Sequence, residues 1–235
     1  MPALKLEGPR VGVVRGRTTR RWLLNSAAAA LATAALPACV NAPRALVAGQ
    51  DYAVLDPRVP VATTEGQIEV LEFFWLGCPH CADMHPRLQA WARRVGTDVR
   101  LQLRPAVLGE KWLPGARLHH TLAHLGELER LVGAAFEAVQ LDDLDLDDEQ
   151  ALAAWALRQG LDRSRFLAAL RSPEVRARAA DAAKDTERYR LRGVPSFVID
   201  GRYLTSNGYA GSSPETLQVV DGLITMVREQ RRTRA

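Results

Sequence analysis

The sequence predicts an α/β fold in which a sheet domain is interrupted by a block of helices. Three patterns support this prediction: a β-α-β unit near residue 70, a long helical stretch, and a late β-hairpin followed by a helix. The chain has 235 residues, of which 47% are hydrophobic and 25% charged. It is therefore long enough to bury an ordinary core in one or two domains.

The β-α-β unit begins with residues 68–75, a short apolar run rich in β-formers that is interrupted by an acid at Glu72. Such a run is typical of a strand buried on both faces of a sheet. Apolar residues then recur at spacings of three and four, which predicts a helix over 78–95 with Gly96 at its end. Alternating apolar residues over 99–103 predict a second strand.

A helical pattern extends from Trp112 to Arg190 and predicts four or five helices without strands. Its breaks lie at Gly126, at the Asp-rich residues 141–148, at Gly160 and at Ser172-Pro173. Asp147, three residues before Gln150, resembles a capping box, and Ser172 before Pro173 is a favourable helix start.

The β-hairpin is predicted by Asp200-Gly201, which stands between the short β-forming segments 196–199 and 202–205. A last helix is predicted to begin at Ser213-Pro214-Glu215. It carries one apolar face, made of Leu217, Val220, Leu223, Ile224 and Val227.

The first fifty residues have the composition of a targeting segment. They contain seven basic residues and one acid, a net charge of +6, so residues 51–235 are near −2. A basic stretch followed by the Ala/Leu-rich run 22–36 is typical of a secretory signal. The basic balance of the whole chain therefore gives no reason to expect nucleic-acid binding.

The leader leaves the export route open. Residues 19–24, Thr-Arg-Arg-Trp-Leu-Leu, resemble a twin-arginine signal, and the general secretory route is the alternative. Residues 36–39 partly resemble a lipobox, in which Cys39 would carry a lipid anchor, although Pro37 fits that motif poorly. Otherwise Cys39 is removed or lies in the tail. After residue 40 no apolar run is long enough to predict a membrane span.

Two cysteines remain after the leader, Cys78 and Cys81, in the spacing Cys-Pro-His-Cys. In an exported protein such a close pair is expected to act as a redox reagent. A structural disulfide would close too small a loop to stabilise much. A zinc site needs further ligands, and no histidine has a standard ligand spacing, so we expect no metal. His120 and His124 are expected on a solvated helix.

The position of the pair at a strand-to-helix junction predicts different roles for the two sulfurs. At the helix N-terminus Cys78 faces unpaired N–H groups, which lower a thiol pKa, so it is the expected attacking sulfur. Cys81, one turn further and more buried, is the expected resolving thiol. His80 adds a donor beside the thiolate.

Residues 72–81, Glu-Phe-Phe-Trp-Leu-Gly-Cys-Pro-His-Cys, together with 193–197, Gly-Val-Pro-Ser-Phe, resemble the bacterial DsbA family. The resemblance covers about residues 51–231. It implies a thioredoxin fold with an inserted all-helical domain. The expected boundaries are 1–48 for the export signal and linker, 51–108 and 189–235 for the two parts of the thioredoxin-like domain, and 109–188 for the helical insertion.

The resemblance also implies roles for the site residues. Pro79 and His80 lie between the catalytic cysteines, and Val194, Pro195 and Ser196 form a substrate-binding loop. In the family the Val-Pro bond is cis; an ordinary trans proline is the alternative. Glu72 matches a buried acid beneath the active site, unless it is exposed at an edge. Where the family has a lysine near this acid, the next strand offers Gln102 or Arg104.

These observations lead us to expect a periplasmic oxidase that introduces disulfides into exported proteins. Its partners would be unfolded or folding proteins with free cysteines, and a DsbB-like quinone-linked membrane oxidase would reoxidise it. We expect a monomer with no cofactor, and a mainly apolar groove beside Pro195. The alternatives are a reductase or isomerase of the same fold, or a redox-inactive envelope chaperone that only binds.

Overall fold

A computed structural model describes residues 45–64 and 66–233, and all of these belong to one compact unit. The predicted twin-arginine motif and Cys39 lie outside the described residues, as does most of the predicted export segment 1–48. Within the described part of the chain, no helix is long and apolar enough to cross a membrane.

The sheet has five strands in the spatial order β1-β5-β4-β2-β3. They are β1 (Ala53–Val54), β2 (Ile68–Phe74), β3 (Val99–Pro105), β4 (Ser196–Ile199) and β5 (Tyr203–Ser206). The β2–β3 pair is parallel, and β4 pairs antiparallel with both β2 and β5. Every residue of β2 is buried, as its apolar run predicts. Strand β1, which pairs with β5, was not predicted.

Eight α-helices accompany the sheet in the described residues. They are α1 (Pro79–Ala92), α2 (Leu113–His124), α3 (Leu128–Leu141), α4 (Glu149–Arg158), α5 (Arg163–Leu170), α6 (Pro173–Arg188), α7 (Asn207–Ala210) and α8 (Ser213–Arg232). Five of them, α2 to α6, lie between β3 and β4, as the helical pattern predicts. The limits of the helical insertion, placed after residue 108 and after residue 188, remain predictions.

The apolar side chains pack in layers on either side of the sheet. Helices α1 and α8 cover one face, where the predicted apolar side of α8 is buried with Val70 and Trp91. The other face packs Phe73 and Val198 against the segment after α6. A third cluster fills the helical block and includes Phe74 and Cys81. The second cysteine therefore lies where the sheet, α1 and the helical block meet.

The helix starts confirm one predicted cap and correct another. Ser172 caps α6, where its hydroxyl oxygen accepts a hydrogen bond from the backbone N–H of Val175 at 3.2 Å. The cap of α4 is Asp148, not Asp147. Its carboxylate accepts from the N–H groups of Gln150 and Ala151, because Asp148 is the residue with extended backbone directly before the first helical turn.

Candidate active site

The cysteine pair lies at the start of α1, directly after the central strand β2. The backbone N–H of Cys78 donates to the carbonyl oxygen of Trp75 at 3.0 Å and closes the turn between the two elements. Cys78 is the N-cap residue, and Pro79 occupies the first turn, where a missing N–H costs no helical hydrogen bond. Cys78 is half-buried, Pro79 and His80 are exposed, and Cys81 is fully buried.

Gly77, in the turn before Cys78, leaves room for the indole ring of Trp75. A Cβ atom at Gly77 would lie only 2.4 Å from Trp75 Cζ2. The ring stacks on Trp112 with 4.5 Å between centroids and an interplanar angle of 15°. Sequence reasoning missed this aromatic pair, because Trp112 follows β3 and is 37 residues from Trp75 in the chain, so only folding brings the two rings together.

The loop 193–196 faces the cysteines across the site. The Val194–Pro195 bond is cis, as the family resemblance implies, and the trans alternative is not observed. Sγ of Cys78 lies 3.6 Å from the carbonyl oxygen of Val194, to which the thiol donates when it is protonated. The Ser196 hydroxyl donates to the carbonyl oxygen of Gly193 at 2.8 Å, so this buried side chain holds the loop together.

The two thiols have opposite electrostatic surroundings. A hydrogen bond from the Cys81 thiol lowers the pKa of Cys78 to about 6, and backbone N–H groups of Cys81 and His80 and the charge of His80 act in the same direction. Burial strongly raises the pKa of Cys81. Near neutral pH the first sulfur is therefore a thiolate and the second a protonated thiol.

Glu72 lies in the centre of the sheet with only 2% of its surface exposed, so the edge-exposed alternative is wrong. Burial, and secondly the nearby Cys78 charge, raise the pKa of its carboxyl to about 8. Neither residue that the next strand offered, Gln102 or Arg104, is a partner of Glu72. Leu103 lies opposite Glu72 in the parallel β2–β3 pair, and Gln102 and Arg104 point to the other face, where they bond to each other at 3.0 Å.

The known proteins similar to this chain share this architecture. The family model for the DsbA-like thioredoxin domain matches residues 69–218. The chain belongs to the DsbA-like thioredoxin family.

DsbA proteins cover nearly the same length. The thiol:disulfide interchange protein DsbA of Bordetella pertussis is 37% identical over 206 residues, which is 85% of this chain and 96% of the relative. The DsbA of Burkholderia cepacia is 33% identical over 189 residues, which is 80% of this chain and 89% of the relative. Two crystal structures show the same fold. That of Pseudomonas aeruginosa DsbA has a TM-score of 0.75 and 32% identity, and the match covers 80% of this chain and 97% of that one. That of Xylella fastidiosa DsbA has a TM-score of 0.73 and 34% identity, and the match covers 78% of this chain and 98% of that one.

The α/β fold predicted from the sequence, a thioredoxin fold with a helical insertion, is thereby confirmed. As a member of the DsbA family, the protein is a thiol:disulfide oxidoreductase. This class of enzyme exchanges electrons between cysteine pairs through a mixed disulfide, which requires one accessible thiolate and a second thiol nearby.

A second buried acid of β2, Glu69, was overlooked in the sequence. It lies on the sheet face opposite Glu72 and is 2% exposed. Its Oε1 accepts a hydrogen bond from the backbone N–H of Ala62 at 2.9 Å. Unlike Glu72, it therefore fixes the chain before β2. The alternation of side chains along a strand was the available signal for separating the two acids.

The histidines of α2 correct the expectation of a solvated helix. His119 is 5% exposed, and its ring lies 5.5 Å from that of Phe74. His120 is half-buried, and burial with the nearby Arg178 and Arg104 lowers its pKa to about 4. His124 is exposed and lies 3.4 Å from Glu174. Among the described residues, no three His, Cys, Asp or Glu side chains are grouped to hold a metal.

A cavity of about 510 Å³ lies beside Pro195, between the loop 193–196, β1 and the segment after β5. Ala53, Val54, Leu55 and Leu204 contribute apolar surface, in line with the expected apolar groove. Arg190 and Arg192 also line it, and they were not predicted.

Proposed function

We propose that this oxidoreductase works as a dithiol oxidase that introduces disulfide bonds into exported proteins. The observation that carries the proposal is the stabilised Cys78 thiolate, whose pKa is lowered to about 6. As is known for DsbA proteins, stabilising the reduced form makes the disulfide a stronger oxidant. In this proposal the direction of electron flow rests on the surroundings of one sulfur.

In the proposed reaction a substrate thiolate attacks Sγ of Cys78 in the oxidised enzyme. The Cys78–Cys81 bond breaks, a mixed disulfide forms, and Cys81 leaves as a thiolate that takes up a proton. A second substrate thiolate then attacks the substrate sulfur and releases Cys78 as a thiolate. Two electrons pass from the substrate to the enzyme, and the substrate gains a disulfide.

Each site residue has a proposed role in these steps. His80 and the N-terminus of α1 stabilise the leaving Cys78 thiolate. Pro79 fixes the start of the helix, and the backbone of Val194 and Pro195, supported by Ser196, holds the extended substrate opposite Cys78. Glu72, with its raised pKa of about 8, is protonated at neutral pH and supports proton transfer at the buried Cys81.

The cellular setting is part of the proposal. The basic, Ala/Leu-rich leader supports export to the periplasm through a twin-arginine-like or general secretory signal, with a possible lipid anchor at Cys39. The electrons gained from substrates would pass to a DsbB-like membrane oxidase and from there to a quinone. We propose that the protein acts as a monomer without a cofactor.

Equilibration with reduced and oxidised glutathione tests the proposal. We expect the Cys78–Cys81 disulfide to be reduced by glutathione far more readily than a structural disulfide. If the disulfide is instead as stable as that of a general reductant such as thioredoxin, the result would favour the alternative that the protein is a reductase. Full biological activity of a Cys78→Ser variant would establish a redox-inactive binding protein.

A further inference from the structure

The last residue of α6 and the segment that follows it carry three exposed arginines in alternation with two buried apolar residues. Arg188, Arg190 and Arg192 are exposed, while Tyr189 and Leu191 are 6% and 7% exposed and pack against the sheet. The buried residues anchor the segment. The guanidinium groups therefore lie along a fixed piece of surface that leads to Val194.

Three adjoining clefts continue from this segment. The cavity beside Pro195 shares Arg190 and Leu55 with a cleft of about 250 Å³, and that cleft shares Arg188 with one of about 600 Å³. The last cleft lies between the edge strand β3 and helix α6, and it adds three more cations. We call the surface formed by these six residues the basic track: Arg192, Arg190, Arg188, Arg104, Arg178 and Lys184.

The charge of the basic track is only partly neutralised. Lys184 lies 2.7 Å from Asp181, and Arg178 lies 3.0 Å from Glu174. Within residues 45–64 and 66–233, Arg188 and Arg192 have no ion pair or side-chain hydrogen bond. Arg190 donates only to the backbone carbonyl oxygen of Asp56, at 2.8 Å. Besides Asp181, the acid that lines the three clefts is Asp185.

The basic track begins beside the reacting sulfur. Val194, which lines its first cleft, places its carbonyl oxygen 3.6 Å from Sγ of Cys78. A polypeptide whose cysteine is joined to Cys78 therefore passes the first cleft as it leaves the site. Guanidinium groups without partners favour carboxylates, which they bind by charge-assisted hydrogen bonds.

We propose that the basic track binds an acidic segment of the substrate polypeptide and so selects substrates with Asp or Glu near the reacting cysteine. This inference rests on the proposed exchange at Cys78, and it adds a substrate class to it. A nucleic acid fits less well, because such grooves usually interleave cations with stacking aromatic side chains. Among the described lining residues, the exposed aromatic side chain is Tyr209 alone, in the first cleft.

The test compares peptides that contain one cysteine and differ only in a short run of glutamates or glutamines placed a few residues to either side of it. The rate of mixed-disulfide formation with the full-length enzyme is measured at low ionic strength. We expect the glutamate peptide to react about 10-fold faster, which is the lower end of the range for electrostatic steering. High salt, which shortens the Debye length to about 3 Å at 1 M, should remove the difference.

The Arg188→Gln/Arg192→Gln variant should lose most of the preference for glutamate, which is the ratio of the rates with the two peptides and does not depend on a general change in rate. Neither side chain makes an ion pair or a hydrogen bond within the part of the chain that the structure describes, so folding should be unaffected. Arg93→Gln/Arg158→Gln is the matched control, since it removes the same charge from two exposed arginines outside the clefts. Equal loss of preference in both variants would overturn the proposal.

Failure of the basic track and failure of the oxidase proposal give different results. The rate ratio is also measured with reduced enzyme and the same peptides as mixed disulfides with glutathione, so it does not depend on the direction of electron flow. The glutathione equilibrium tests the oxidase separately. If the wild-type enzyme shows no preference for the glutamate peptide, the proposal for the basic track is overturned. Binding of anionic vesicles or of an oligonucleotide would then indicate that the basic track binds a different polyanion.

Discussion

Glu72 lies opposite Leu103 in the β2–β3 pair, so a buried carboxyl lies beside an aliphatic side chain in the interior of the protein. Among the described residues it has no cation and no hydrogen-bond donor as a partner. An unpaired carboxyl in such surroundings is stable only when it is protonated. The redox site therefore lies above a neutral acid group at physiological pH.

The stability of the oxidised protein is expected to fall between pH 5 and pH 8 because of Glu72. Burial, the larger cause of its raised pKa, acts in the oxidised protein as well, although the Cys78 charge is lost there, so in this window the unfolded chain is ionised while the folded protein keeps the proton. The free energy of unfolding should decrease by about 1.4 kcal/mol for each pH unit in which only the unfolded chain is ionised. Urea unfolding at several pH values measures it.

Glu72→Gln should remove this decrease, and Glu137→Gln, at an exposed position, should not. Parallel curves for wild-type protein and Glu72→Gln would show that the carboxyl is ionised in the folded state.

Alkylation of the reduced protein should distinguish the two thiols. The rate at Cys78 should rise with pH around a midpoint near 6, and Cys81 should remain unmodified in the folded protein. The Cys81→Ala variant lacks the hydrogen bond that is the main cause of the lowered pKa of Cys78. In this variant the rate of Cys78 alkylation at pH 6 should therefore fall several-fold. Mass spectrometry of the alkylated chain identifies the modified cysteine. Equal modification of both thiols would contradict the observed burial.

His80→Ser should make the disulfide more stable. The charge and backbone N–H of His80 both lower the pKa of Cys78, and the charge is lost in this variant. We expect the equilibrium with glutathione to shift by about 3- to 10-fold toward the oxidised enzyme. His124→Gln, on α2, serves as the control for loss of an exposed histidine. A shift toward the reduced enzyme would mean that His80 does not stabilise the thiolate.

Gly77→Ala should destabilise the protein by about 1–3 kcal/mol, because the new methyl group would lie 2.4 Å from the Trp75 ring. The ring must move, so tryptophan fluorescence should change as well. Gly109→Ala is the matched substitution: no atom lies within 4 Å of its Cβ position, and its backbone is extended. Denaturant unfolding of the two variants side by side measures the difference, and equal stabilities would refute the close contact.

Asp148→Ala should cost about 1 kcal/mol of stability, since it removes the side-chain cap of α4. Asp147→Ala should change the stability little, because the Asp147 carboxylate accepts no hydrogen bond from the helix. Thermal unfolding of both variants checks this, and the reverse order would restore the cap predicted from the sequence.

The elements predicted best were those with local signals. Asp200 and Gly201 both have positive φ angles, of 53° and 63°, which explains why this dipeptide marked the hairpin. The apolar run 68–75 predicted a buried strand because a central strand has no solvent-facing side. Strand β1, with two residues, is too short to give a periodic signal.

The parts of the site that the sequence did not reveal depend on register and on distant segments. Choosing Gln102 or Arg104 as the neighbour of Glu72 required the pairing of two strands about thirty residues apart, and a shift of one residue reverses every side chain. The stack of Trp75 on Trp112 and the basic track likewise join residues from separate elements. No local pattern contains this information.

The contact between Cys78 and Val194 joins residues that are 116 positions apart in the chain. Both cysteines, but not the loop opposite them, are present in a fragment that ends before residue 194. Such a fragment would carry a simple dithiol without a substrate surface, and the whole helical block must be made before the loop follows. Competence for selective exchange is therefore gained only after the helical block has been translated.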